Sequence, residues 1–156
     1  MCETSGLFFH NGRLWTHNDS GGKPILYALD TVTFEVVQRI TLANAKNKDW
    51  EDVCTDGKTV FVGDFGNNKG SRKNLRIFTF PLSAIPNEGD TTVTVDSIKF
   101  RFADQTNFEK GSTNTTMTAR PCLPRKSIFI CSAKAGKRAR PECTDFRKHL
   151  GIKSLR

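Results

Sequence analysis

Short runs of alternating apolar and polar residues, each closed by a turn signal, fill most of this chain and then stop. Gly6-Leu7-Phe8-Phe9 and Arg13-Leu14-Trp15-Thr16 flank Asn11-Gly12, a dipeptide suited to a two-residue hairpin turn. A polar stretch leads to Pro24, and Ile25-Leu26-Tyr27-Ala28-Leu29 predicts a third strand. The fourth is expected over 34–42, with Phe34, Val36, Gln38, Ile40 and Leu42 on one face. A second set follows the same plan. Glu51–Thr55 and Thr59–Gly63 flank Asp56-Gly57, the polar loop 64–73 comes next, and strands are expected over 75–80 and 93–102. The two sets align through Asn11-Gly12 with Asp56-Gly57, Trp15 with Phe61, and Asn18 with Asp64.

The repeat interval is about 46 residues, the length of a β-propeller blade of four antiparallel strands. The expected fold class is therefore all-β: a partial β-propeller of about two four-stranded blades over residues 3–114, followed by a disordered or non-native tail over 115–156. A generic antiparallel sandwich is the competing architecture. Two blades do not close a ring, so such a chain is expected to leave apolar sheet faces uncovered. As part of a ring it is not expected to act as an enzyme by itself.

Charge changes the picture of the tail. The whole chain carries a net +8, which by itself points to an anionic partner. Residues 1–116 hold 13 basic against 14 acidic side chains, close to −1, whereas residues 117–156 hold 11 against 2, or +9. The body thus gives no reason to expect nucleic acid. The tail, if native, would bind phosphate backbones in a salt-dependent way, with only Phe129 and Phe146 for stacking. The five cysteines, Cys2, Cys54, Cys122, Cys131 and Cys143, include no Cys-x-x-Cys pair, which argues against zinc, and their odd number argues against a disulfide framework. No apolar run is long enough to span a membrane, and Met1-Cys2-Glu3 leads directly into a strand pattern without a signal peptide.

Candidate chemistry concentrates in the loops. Asp49, Glu51, Asp52 and Asp64, with Asn67 and Asn68, form the densest set of oxygen ligands, and calcium is the cation such a set suits. Asn18 and Asp19 are the corresponding pair in the first repeat. The same residue types also cap turns by accepting backbone N–H groups, which is the alternative reading. Trp15 and Trp50 are expected to pack between blades, with ligand stacking as the second role. His17, beside Asn18-Asp19, is a candidate general base, and Arg72 is expected to pair with a loop carboxylate such as Asp64 or to contact a ligand. There is no nucleophile elbow, P-loop or dinucleotide fingerprint.

The segments Glu3-Thr4-Ser5-Gly6-Leu7, Leu14–Gly22 with Pro24, Asp49-Trp50-Glu51-Asp52, and Gly63–Asn68 with Arg72 give the body a resemblance to a family of secreted bacterial β-propeller proteins, six-bladed and of the TolB or NHL type. The resemblance covers roughly residues 3–114 and implies a β-propeller fold and an extracytoplasmic setting; for the intact parent a binding scaffold of unassigned ligand or protein partner is expected. A metal-dependent hydrolase of lactonase or phytase type is the alternative. In that case Asp49, Glu51, Asp52 and Asp64 would hold the ion and His17 would act as base. Relatives of this type begin with a signal peptide and continue with further blades, so the chain is expected to be truncated at both ends.

The tail has a second reading in the frame offset by one base. There Met117-Thr118 forces Asp, and Phe129-Ile130 and Cys143-Thr144 each force Tyr or His. With permitted codons elsewhere the frame opens Asp-Tyr-Asp-Cys-Glu-Ala-Leu-Phe, whose Cys-Glu-Ala-Leu parallels Trp50-Glu51-Asp52-Val53. One lost base near the codons for Asn114 and Thr115 accounts for the change in character. Resequencing the source DNA across the codons for residues 113–118 should reveal that missing base; an unaltered frame makes the basic tail native.

Overall fold

The computed structural model describes residues 4–101 and 107–109 and three strands of the tail. The chain divides into two compact units, one of residues 1–66 and 74–101, the other of residues 67–73 and 102–156. No helix among the described residues is long and apolar enough to cross a membrane.

The first unit is all-β and consists of two sheets. Strands β1 (Thr4–His10), β2 (Arg13–Asn18), β3 (Ile25–Asp30) and β4 (Val36–Leu42) form an antiparallel meander. Strands β5 (Trp50–Thr55), β6 (Thr59–Asp64), β7 (Leu75–Pro81) and β9 (Asp96–Phe100) form a second one. Between β7 and β9 the chain leaves its own sheet through a 3₁₀ turn at Leu82–Ala84. It then adds β8 (Thr91–Val93) parallel to β4, pairing Ile40 with Thr91 and Leu42 with Val93. The predicted strand over 93–102 is thus split. Val93 belongs to the first sheet, β9 starts at Asp96, and residue 102 lies outside the described residues.

Side chains from both sheets form one core. Phe8, Trp15, Leu26, Ala28, Ile40 and Leu42 come from the first sheet, and Trp50, Val53, Val60, Val62, Phe78 and Phe80 from the second. Full burial of a large apolar side chain contributes roughly 1.5–3 kcal/mol, so this shared layer dominates stability. The fourth strand shows why its face reads as it does. Gln38, Ile40 and Leu42 are all fully buried, whereas Phe34 lies in the β3–β4 turn with φ +58° and is exposed. The turn is set by Asp30, whose Oδ1 accepts the N–H groups of Val32 and Thr33 at 2.8 Å, and Phe34 is carried out of the face. Leu7 and Phe9 on β1, with Val32, Phe34 and Val37 near that turn, are the large apolar side chains left exposed among the described residues.

The buried amide of Gln38 is satisfied from three sides. Its Nε2 donates to the carbonyls of Pro86 at 3.0 Å and Gly89 at 2.6 Å, and its Oε1 accepts from the Arg13 guanidinium. Asn44 makes a similar tie further along, with its Nδ2 donating to Val95 O and its Oδ1 accepting Val95 N–H. Residues 82–95 are therefore a strap joining the sheets, held by polar groups that burial would otherwise penalise.

The two hairpins are related, but not in the register the sequence suggests. His10 pairs with Arg13 across a two-residue turn, whereas Thr55 pairs with Val60 across four residues. Counting outward, Trp15 corresponds to Val62 and His17 to Asp64, while Phe61 corresponds to Leu14. An offset of one residue exchanges the buried and outer faces. Both hairpins carry an irregularity at the equivalent place, between Ser5 and Phe8 in β1 and between Trp50 and Asp52 in β5.

In the second unit, β10 (Thr118–Cys122), β11 (Phe129–Ala133) and β12 (Glu142–Asp145) form an antiparallel sheet in the order β10-β11-β12. The rest of the segment expected to be disordered, 115–156, lies outside the described residues.

Gly6, with φ +66°, sits where β1 approaches β5. A Cβ there would fall 2.4 Å from Val53 N and 2.5 Å from Asp52 Oδ1. Gly12 has a similar φ of +73° and open space around it. Gly12→Ala should therefore cost about 1–2 kcal/mol from backbone conformation alone, and Gly6→Ala roughly 2–5 kcal/mol because overpacking adds to it. Urea unfolding of the two variants measures the difference, and equal losses would mean that β1 does not approach β5 so closely.

Candidate functional site

The predicted ligand loops meet at the end of the first unit opposite the β1–β2 turn. β2 ends in Asn18 and delivers Asp19 into the loop before β3; the segment after β4 delivers Asp49 as β5 begins. Glu51 follows, and it is the extra residue of the β5 irregularity, left between the Trp50–Asp64 and Asp52–Gly63 pairs. Such a bulge re-aims a side chain that regular alternation would send elsewhere. The result is that one carboxylate oxygen from each of Asp19, Asp49 and Glu51 lies within 4.8 Å of the others, all three residues half-buried.

Asp64 and Asp52, expected as ligands beside Asp49 and Glu51, are not members of this cluster. Asp64 is buried, and its Oδ1 accepts the Asp49 backbone N–H at 3.1 Å, so it positions the loop. Asp52 turns toward β1, where its Oδ1 accepts the Val53 N–H at 2.7 Å beside Gly6. Asn67, Asn68 and Arg72 fall in the second unit. There Asn67 organises its own loop, its Oδ1 accepting Arg72 N–H and its carbonyl accepting Gly70 N–H, both at 2.8 Å.

Two contributors carry weaker sequence signals. Asn47 is buried, donates through Nδ2 to Asn18 O at 2.9 Å, and accepts Trp50 N–H on Oδ1 at 3.3 Å. It thereby links the end of β2 to the start of β5. The Asn three residues before the Trp is the sole sequence hint, that of an Asx cap. Gly66 lies flat against the cluster, where a Cβ would meet the carboxylates of Asp49 and Glu51 at 2.2–2.4 Å. Its N–H donates to Asp49 O at 3.0 Å. The side-chain oxygens Asn18 Oδ1 and Asp19 Oδ1 are buried without a hydrogen-bond donor. Buried acceptors of this kind are costly unless a donor or a cation satisfies them.

Both tryptophans are fully buried. Trp15 stacks on Phe8 at 6.1 Å and donates its indole N–H to His10 O, while Trp50 packs on Phe78 and donates to Lys46 O. They are placed for packing, with no face turned to solvent. His17 is also fully buried. Its ring meets Trp50 edge-on at 5.6 Å, and Nδ1 lies 2.9 Å from Asn18 O, which fixes the proton on Nδ1 and leaves Nε2 without a partner. A general base must reach the proton it removes; a side chain enclosed in this way fills the core. Burial likewise pushes the Cys54 thiol up to about 12, which keeps it from serving as a thiolate nucleophile.

No family model matches the chain, and no curated protein matches it.

Burial is the main influence on His17 and lowers its pKa below the ordinary 6.5, against the opposing pull of the Asn18 carbonyl and the negative Asp19. The unfolded chain takes up this proton first, so the stability from a neutral His17 is complete above pH 6.5 and is lost as the pH falls through the depressed native value. Urea midpoints measured from pH 7.5 down to pH 5 (a range of about 2.5 units around the ordinary imidazole value) should fall more steeply for the native chain than for His17→Gln. Parallel profiles would show that His17 protonates freely in the fold.

Proposed function

We infer that this chain is a binding scaffold of the β-propeller-blade type whose loop end is fastened by a hard divalent cation, calcium being the best match. The observation that carries the reading is the convergence of Asp19, Asp49 and Glu51 from two different sheets. Three carboxylates at this separation repel one another, and an all-oxygen set of this kind suits a cation of calcium's size and charge. The donorless Asn18 Oδ1 and Asp19 Oδ1 at the same end support it, as does the close approach of Gly66, which leaves the carboxylates no room to splay toward it.

The cation's role in this reading is structural. It would tie the β2–β3 loop to the start of β5 and hold both sheets' loops as a rigid presenting edge. The hydrolase alternative gains no support from His17, its candidate base, which is enclosed in the core. A secreted setting and membership of a larger ring are consistent with the blade-like meanders, and an out-of-frame tail is consistent with the abrupt rise in charge beyond residue 116.

Calcium at about ten times its dissociation constant should stabilise the fold by about 1.4 kcal/mol, which for a domain of this size raises the melting temperature by roughly 6–11 °C. Chelator should reverse the shift, and Asp49→Asn or Glu51→Gln should abolish the response to calcium. A melting temperature indifferent to calcium, magnesium and manganese would overturn the reading.

A further inference from the structure

The opposite end of the same unit holds a cleft of about 520 Å³ that the cation reading does not use. It lies between the β1–β2 and β5–β6 turns and is lined by His10, Asn11, Gly57, Lys58, Leu82, Ser83, Ile85 and Asn87. We propose that this cleft binds a small organic carboxylate, with the apolar body of the ligand on Leu82 and Ile85 and its carboxylate among Lys58, His10 and the Asn87 amide.

The chemistry of the lining is one-sided. Leu82 and Ile85 are buried and supply an apolar floor, while Lys58, His10, Ser83 and the two asparagines supply polar groups, and among the described residues no carboxylate lines the cleft. The acidic residues nearby in sequence are committed or lie outside the lining. Asp56 Oδ1 accepts the N–H groups of Lys58 and Thr59 at 3.0 and 2.8 Å, and Asp90 pairs with Arg39. A cation beside an apolar floor is the pattern that a carboxylate on a hydrocarbon body satisfies.

The walls are held in place before any ligand arrives. Lys58 is fixed at its backbone by Asp56 on one side and on the other by its carbonyl, which accepts Leu82 N–H at 2.7 Å. The His10 carbonyl accepts the Trp15 indole N–H. Asn11 Nδ2 donates to Asn87 Oδ1 at 3.1 Å across the cleft, which turns the Asn87 amide N–H₂ away from that bond and leaves it as a donor. Behind Asn87, the carbonyls of Pro86 and Gly89 are held by Gln38, which in turn holds Arg13. The backbone of the cleft is thus set in advance, and the ordering left to a ligand is chiefly that of the Lys58 side chain.

Benzoate is a suitable probe for the full-length chain, with benzyl alcohol as its uncharged counterpart. Benzoate titrated to about 20 mM, a range that covers millimolar affinity, should shift the backbone amide resonances of Gly57, Lys58, Ser83 and Asn87 saturably. Benzyl alcohol should shift them far less. Lys58→Ala, at an exposed position whose structural bonds are all made by the backbone, should weaken benzoate by about tenfold, the loss of one charge-assisted contact. Absence of saturable shifts, equal shifts with benzyl alcohol, or an unchanged affinity in Lys58→Ala would each overturn the proposal.

Discussion

Everything in the first unit depends on two sheets burying each other's apolar faces. Each meander has one face of aliphatic and aromatic side chains, and neither is stable while that face meets water. Trp15 and Trp50 lie in this shared layer and are fully enclosed. The strap of residues 82–95 makes the arrangement specific: it leaves the second sheet, pairs β8 with β4 of the first, and returns as β9. A strand lent to the neighbouring sheet covers that sheet's edge and removes the independence of the two meanders. Gln38 and Asn44 show how the crossing is tolerated, since both satisfy the backbone of the strap with side-chain amides.

The strands and turns were legible in the sequence because they rest on local rules. Alternation marks a half-buried strand, and Asn11-Gly12 and Asp56-Gly57 supply the positive φ angles their turns need. The failures have a common cause in longer-range geometry. Phe34 continues the period of β4, yet Asp30 draws the chain into a turn that carries it outward. Val93 is as apolar as any β9 residue, yet a parallel partner in the other sheet claims it. The alignment of Trp15 with Phe61 fails because the two turns differ by two residues in length, which composition does not disclose.

The loop site was legible in part for the same reason. Asp49 and Glu51 stand out in the sequence as acids beside a strand start, but Asp52 and Asp64 look equivalent to them there. What separates the four is the bulge at Glu51 and the hydrogen bond from Asp49 N–H to Asp64, both consequences of β5–β6 pairing. Asp19 is brought to the cluster from the other sheet, a relation no spacing rule contains. His17 illustrates the reverse: beside two acidic or amide residues it looks reactive, while the fold encloses it against Trp50 and leaves it neutral.

The carboxylate cluster and Lys58 lie at opposite ends of the unit, and the strand directions explain how. β2 runs from Arg13 at the turn end to Asn18 at the loop end, and β5 runs back from Trp50 to Thr55. Strands of this length separate the ends by roughly 17–20 Å, well beyond the Debye length of about 8 Å at physiological salt. At that distance acidic Asp19, Asp49 and Glu51 scarcely weaken the attraction of Lys58 for an anion, and Lys58 does little to relieve their mutual repulsion. In the proposed readings each end meets its counter-charge locally, a cation at one and an anion at the other. Because the body carries nearly equal numbers of acidic and basic side chains, neither the loop carboxylates nor Lys58 shows in its net charge.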